Sequence, residues 1–286
     1  MNVGFIGLGA LGQAIIKRLI SQGIKVTVWN RTIEKAQKLN LPYVENPEDL
    51  LQKRDILILC LTDGKAVKDI LNKLSDNLQN KIIIDITTNH FPTVLEFHKF
   101  LKNKGGFYLE TPVLGSVIPA EKGLLNILVS GEEKVLKEVK PILNIIGQKI
   151  FYLEEPGKAT KAKLINNYVV AMLIISLASG INFGEAVGFT KEEIIEILSS
   201  GSGNSYLLNA KKEKILKEDF TPHFSVNNML KDLYYADDLF KEISRVYIEG
   251  TLAKELFKLT KNLGYGEEDF SAIYKTLKIL NNIKEG

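Results

Sequence analysis

Residues 1–12 read Met-Asn-Val-Gly-Phe-Ile-Gly-Leu-Gly-Ala-Leu-Gly, a short apolar run that passes straight into a Gly-x-Gly-x-x-Gly turn. A brief apolar segment ending in glycine reads as a buried strand, and the residues after it begin a helical pattern. In that setting each glycine has a task. Gly7 permits a tight turn, Gly9 lets backbone approach a pyrophosphate, and Gly12 lets the helix close on the strand. Leu8, Ala10 and Leu11 complete the loop, whose helix amino end presents N–H groups and a positive dipole to an anion. The stretch is a dinucleotide fingerprint in the strand-turn-helix context that the fingerprint requires.

Working outward, residues 3–6, 26–29, 56–61, 82–85, 107–110 and 126–130 are brief and apolar and predict strands. Residues 11–22, 32–39, 64–78 and 92–104 carry apolar side chains at helical spacing. Strand-helix alternation calls for a parallel, doubly wound α/β sheet of the Rossmann type, because each crossover returns the chain to the same sheet. After about residue 151 the pattern changes. Residues 160–187 contain no proline and predict one helix of about 28 residues, apolar nearly all round. Helical segments follow at 191–199, 205–217, 227–244, 248–263 and 268–283, with no strand among them. The expected organisation is a dinucleotide-binding domain over 1–159 and an all-α domain over 160–286 that begins with the long interdomain helix.

The second strand ends Trp29-Asn30-Arg31-Thr32, where an NAD enzyme carries an acidic residue for the ribose 2′-hydroxyl. Asn30, Arg31 and Thr32 instead offer neutral and cationic donors suited to a 2′-phosphate, which points to NADP. Thr32 also reads as a helix N-cap. Leu61 and Thr62 after the third strand, and Thr88 after the fourth, are expected at the cofactor edge, since ligands of such sheets bind beyond the carboxyl ends of strands.

Composition excludes several classes. The 286 residues are 45% hydrophobic and 25% charged, and 37 basic against 34 acidic side chains leave +3. That is neither a disordered chain nor the basic stripe of a nucleic-acid binder. One cysteine, Cys60, and three scattered histidines provide neither a disulfide framework nor a metal cluster. The amino terminus shows no basic region with a cleavage site, and the apolar stretches read as too short or too polar to span a bilayer. A cytoplasmic protein that contacts neither membrane nor nucleic acid is the expectation.

Further motifs extend the reading. Glu110-Thr111-Pro112-Val113-Leu114-Gly115-Ser116, Gly157 with Lys163-Leu164-Ile165-Asn166-Asn167, and Phe224 with Met229-Leu230-Lys231-Asp232-Leu233 follow the fingerprint in order. Together they resemble the β-hydroxyacid dehydrogenases, which include 3-hydroxyisobutyrate dehydrogenase, tartronate semialdehyde reductase and the glyoxylate/succinic semialdehyde reductases. The resemblance covers essentially the whole chain. Where the common motif reads Asp-Ala-Pro-Val-Ser-Gly-Gly, this chain has Glu110, Leu114 and Ser116, which is closer to the glyoxylate/succinic semialdehyde branch.

The resemblance implies that the turn at Leu114, Gly115, Ser116 and Val117 binds a substrate carboxylate, largely through backbone amides. It assigns Lys163 as acid/base and Asn167 as its partner in holding the substrate. The two are four residues apart, hence on one helix face, and the apolar run beside Lys163 favours a neutral amine. Asn166 is the adjacent alternative to Asn167. Lys231 is carried over as a contact near the nicotinamide, the competing reading being an exposed lysine paired with a carboxylate. The glycine- and serine-rich residues 200–205 read either as a pocket wall or as a linker. The implied activity is NADP-dependent hydride transfer to or from a small carboxylate-bearing aldehyde or hydroxyacid, in a homodimer or homotetramer. Two rivals share this plan, an imine reductase and a non-catalytic NADP-binding interaction module; both relatives generally lack the lysine.

Overall fold

The computed structural model describes residues 2–52 and 54–281. It opens with β1 (Asn2–Ile6), α1 (Ala10–Ser21), β2 (Lys25–Trp29), two short helices α2 (Glu34–Lys38) and α3 (Glu48–Gln52), and β3 (Ile56–Leu59). Then come α4 (Gly64–Lys73), β4 (Ile82–Asp85), α5 (Phe91–Asn103) and β5 (Phe107–Glu110). The five strands form one parallel sheet in the order β2-β1-β3-β4-β5. Every residue of β3 and β4 is buried, which is why they read as continuous apolar runs: helices cover both faces. The order reverses between β1 and β3, so the crevice for a ligand opens at the carboxyl ends of those two strands.

The sixth expected strand is not part of this sheet. It is β7 (Leu125–Val129), which pairs antiparallel with the two-residue β6 (Val113–Leu114) and parallel with β8 (Gly147–Tyr152) in a separate three-stranded sheet. Between them lie α6 (Val117–Lys122) and α7 (Glu133–Ile146). Helix α7 lies outside the expected helices, although Val135, Leu136, Val139, Ile142, Leu143 and Ile146 form its buried stripe. Pro141 inside the helix is a breaker signal that this stripe overrides.

Two further boundaries differ from expectation. Helix α2 starts at Glu34 with Ile33 at the N-cap and no side-chain cap, so Thr32 does not cap it. Strand β3 stops at Leu59, leaving Cys60 and Leu61 in the turn that follows.

Helix α8 (Lys158–Ala186) has 29 residues and is followed by α9 (Lys191–Ser200), α10 (Tyr206–Leu216), α11 (Val226–Glu242), α12 (Ile248–Thr260) and α13 (Ile273–Leu280). The expected last helix begins instead as a 3₁₀ turn, Phe270–Ala272, and its final residues, 282–283, lie outside the described ones. By length and composition α8 could cross a membrane, contrary to the reading that no stretch could. Much of its apolar content is core: Ala171, Ile174, Ile175, Leu177, Ala178 and Ile181 pack with Leu208, Met229, Leu233, Phe257 and Ile273. The chain divides into two compact units, Met1–Lys163 and Leu164–Gly286.

Candidate active site

The fingerprint folds as the glycine argument requires. Gly7 has φ +110°, and a Cβ there would stand 2.1 Å from the Cys60 carbonyl oxygen, so glycine alone fits where the turn after β1 meets the end of β3. A Cβ on Gly12 would be 2.2 Å from the Gly7 carbonyl oxygen. Gly9 is different: a Cβ would meet nothing within 4 Å. It faces open space at the N-cap of α1, whose first turn has no side-chain cap and no acidic residue. N–H groups left without intrahelical partners beside an open cradle fit a pyrophosphate.

Asn30 secures this turn. Its Oδ1 accepts from the Leu8 N–H at 3.1 Å, and its Nδ2 donates to the Thr32 carbonyl oxygen at 2.9 Å. Its amide thereby braces the loop, and Arg31 and Thr32 beside it are exposed. Across the crevice the Leu61 N–H donates to Thr87 Oγ1 at 3.0 Å, and the Thr87 N–H to Asp85 Oδ1 at 2.9 Å. Buried Thr87, adjacent to the expected Thr88, thus adds a side-chain tie to the Ile86 N–H to Leu59 carbonyl bond between the ends of β3 and β4. Thr62 is exposed and Thr88 half-buried beside them.

Asp85 also accepts from the Tyr108 hydroxyl at 2.6 Å and from Asn89 Nδ2 at 2.8 Å. Burial raises the Asp85 carboxyl above its ordinary range, outweighing these hydrogen bonds, which pull it down. Burial, then the neighbouring Asp85, pushes the Cys60 thiol up to about 12, which keeps it protonated and inert as a nucleophile.

The expected carboxylate turn lies between β6 and α6. Gly115 has φ +124°, Ser116 is the N-cap of α6 without a side-chain cap bond, and Leu114 is half-buried in β6 opposite Asn126. Lys163 reaches the same place from α8. The residue is 9% exposed, and its ammonium donates to the Val113 carbonyl oxygen at 2.8 Å, one residue before the turn. The structure thus brings Lys163 to the residue before Leu114, Gly115, Ser116 and Val117, a pairing that sequence spacing does not encode.

In the second unit, Asn167 and Lys231 meet around a carboxylate that sequence reasoning left without a role. Asn167 Nδ2 donates to Asp232 Oδ2 at 2.6 Å, and Lys231 Nζ lies 3.2 Å from Asp232 Oδ1. Asn166 donates to Asn167 Oδ1 at 3.1 Å, so the alternative amide holds the preferred one. Asp232 is 1% exposed among the buried Met229, Leu230 and Leu233. An acidic residue interrupting the apolar face of a helix was the signal available for it. In the loop after α9, Ser205 accepts from the Leu208 N–H and caps α10, while Ser200 and Gly201 border a surface pocket with Glu193, Glu196 and Ile197.

Comparison with known proteins agrees with this fold. Residues 2–154 match the model described as the NAD binding domain of 6-phosphogluconate dehydrogenase. Residues 157–277 match the one described as NAD-binding of NADP-dependent 3-hydroxyisobutyrate dehydrogenase. Glyoxylate/succinic semialdehyde reductase 1 of Arabidopsis thaliana is 31% identical over 285 residues, 97% of this chain and 99% of that protein. Cytokine-like nuclear factor N-PAC of Drosophila pseudoobscura is 33% identical over 287 residues, 96% of this chain but 46% of that one. A solved structure described as Psf3 in complex with NADP+ and 2-OPP superposes with a TM-score of 0.90 at 27% identity, covering 96% of this chain and 99% of the other. The chain belongs to the β-hydroxyacid dehydrogenase family and carries its NAD(P)-binding Rossmann domain and its helical second domain.

Proposed function

We propose that the protein is an NADP-dependent oxidoreductase acting on a short carboxylate-bearing aldehyde or hydroxyacid, of the glyoxylate/succinic semialdehyde reductase type. The observation that carries this reading is the Lys163 ammonium held on the Val113 carbonyl, one residue before a turn in which α6 starts at Ser116 without a side-chain cap. A cation and converging amides suit a substrate that carries both a carboxylate and a carbonyl. The exposed guanidinium of Arg31, with no acidic residue at the end of β2, supports NADP over NAD. The identity to the Arabidopsis reductase and the NADP+ named with the solved relative support the same choice.

When bound, the cofactor supplies or takes the hydride at nicotinamide C4; the protein positions the substrate and handles one proton. In reduction Lys163 gives that proton to the developing alkoxide, and in oxidation it accepts the proton of the hydroxyl. Asn167, braced by Asp232 and Asn166, presents an oriented amide on the same face of α8. Exposed apolar side chains along α8, among them Ile165, Val169 and Phe183, go with a homo-oligomer.

A second reading, an NADP-binding module without catalysis, draws on the identity to N-PAC. One experiment separates the two: NADPH oxidation with glyoxylate and with succinic semialdehyde, by the wild-type protein and by Lys163→Ala. Turnover that falls about 10²- to 10⁴-fold in the variant while NADPH still binds is the expected result. A wild-type protein that binds NADPH but reduces neither aldehyde favours the module.

A further inference from the structure

We propose that Glu110 is a positioning residue for Lys163, setting where the ammonium stands against the carboxylate turn. The inference rests on the acid/base reading of Lys163. Glu110 ends β5 and is 2% exposed. Its Oε1 accepts from the Gly157 N–H and lies 2.9 Å from His98 Nε2; its Oε2 accepts from the Thr160 N–H at 3.0 Å and from the Thr160 hydroxyl at 2.7 Å. All of these partners belong to the first unit.

A helix start is ordinarily capped by a residue at its own boundary. Here the cap comes from 50 residues upstream, and the other N–H groups of the first turn are assigned as well. Lys158 donates to the Glu155 carbonyl, Ala159 to Ser130 Oγ at 2.9 Å, and Lys161 to the Gly157 carbonyl. The backbone enters this turn through Gly157 at φ +86°, where a Cβ would stand 2.6 Å from the Phe91 ring. The start of α8 is therefore held against the ends of β5 and β7 with little freedom to rotate or slide.

The consequence lies in the spacing. Thr160 is bonded to Glu110; three residues further along α8, Lys163 is bonded to Val113, which is three residues beyond Glu110. Glu110 to Thr160 and Val113 to Lys163 are two rungs between α8 and the short segment that runs from the end of β5 through β6 into the turn. Loosening the first rung lets the helix shift by a fraction of a turn, and the second rung carries the reacting cation with it. A carboxylate that accepts from three N–H and O–H donors has no neutral substitute: an amide at this position turns its NH₂ toward one of them.

The test compares Glu110→Gln, Thr160→Val and Thr160→Ser with the wild type and Lys163→Ala. The readout is the single-turnover rate of NADPH oxidation with succinic semialdehyde, normalised to NADPH-binding protein. Thr160→Val keeps the side-chain volume and serves where Glu110→Gln fails to fold. A misplaced acid slows the chemical step, so Glu110→Gln and Thr160→Val lose about 10- to 100-fold in this rate with NADPH affinity unchanged, and Thr160→Ser recovers most of it. A folded, NADPH-binding Thr160→Val with the wild-type rate, or a Thr160→Ser as slow as Thr160→Val, overturns the positioning role. A slow Lys163→Ala beside a normal Thr160→Val removes only this inference, whereas a Lys163→Ala with normal turnover removes the acid/base reading itself.

Discussion

Alanine at each of the three fingerprint glycines separates fold from cofactor binding, because the three positions differ in what a methyl group would meet. At Gly9 it meets nothing within 4 Å, and the backbone, at φ −71° and ψ 173°, is one that alanine adopts freely. Gly9→Ala should therefore leave the ligand-free protein as stable as wild type or stabler by about 0.4–1 kcal/mol, through the reduced freedom of the unfolded chain. The methyl group occupies the space through which backbone approaches the pyrophosphate. Losing one charge-assisted contact there costs about 1.5–3 kcal/mol, roughly 10- to 150-fold in affinity. At a ligand concentration 100 times the wild-type Kd, NADPH stabilises the native protein by about 2.7 kcal/mol, and in the variant by only about 0.3–1.4 kcal/mol. Gly7→Ala and Gly12→Ala should instead fall in stability without ligand, since their methyl groups stand 2.1 and 2.2 Å from carbonyl oxygens. Thermal unfolding of the four proteins with and without NADPH measures both quantities. A Gly9→Ala protein with the full wild-type ligand shift would refute the placement of the pyrophosphate, and an undiminished Gly7→Ala would refute the steric argument.

Other expectations follow from the same structure. Arg31→Ala should weaken NADPH binding by about 1.5–3 kcal/mol and NADH binding much less, as read by fluorescence titration; equal losses would remove the 2′-phosphate contact. Leu114→Ser restores the hydroxyl of the commoner motif and should narrow, by about 10- to 200-fold at most, a preference for glyoxylate and succinic semialdehyde over tartronate semialdehyde in kcat/KM. Lys211, 2.8 Å from both oxygens of Asp269, is buried with it, so Lys211→Met should cost about 3–5 kcal/mol in urea unfolding near neutral pH. Burial raises the Asp269 carboxyl, but Lys211 and Ser271 together hold it below its ordinary value. Its stabilisation is accordingly present above the unfolded pKa of about 3.9 and lost as pH falls through the lower folded value, and the penalty of Lys211→Met should shrink below about pH 4. A penalty that stays constant down to pH 3 would show that the pair's charge is not its source.

What the sequence determined by itself is local. Periodicity places β1, β4 and β5 within a residue, since burial on both faces leaves continuous apolar runs, and α8 within two, from a long proline-free apolar run. Gly7, Gly9 and Gly12 are legible because only glycine satisfies a tight turn and a close approach of backbone, wherever the rest of the chain goes. The cofactor side of the site follows from these and from the end of β2. The pairings among the expected substrate-side residues do not. That Lys163 meets the turn after Val113, that Asn167 and Lys231 share Asp232, and that Glu110 caps a helix 50 residues away are pairings across long stretches of chain. No local signal encodes a partner at that distance, because a lysine or a glutamate reads in sequence as a solvated side chain until folding removes its water and leaves only specific groups to replace it. The separate three-stranded sheet has the same origin. Two residues, Val113 and Leu114, form a strand only because β7 lies beside them, and that contact belongs to the tertiary structure.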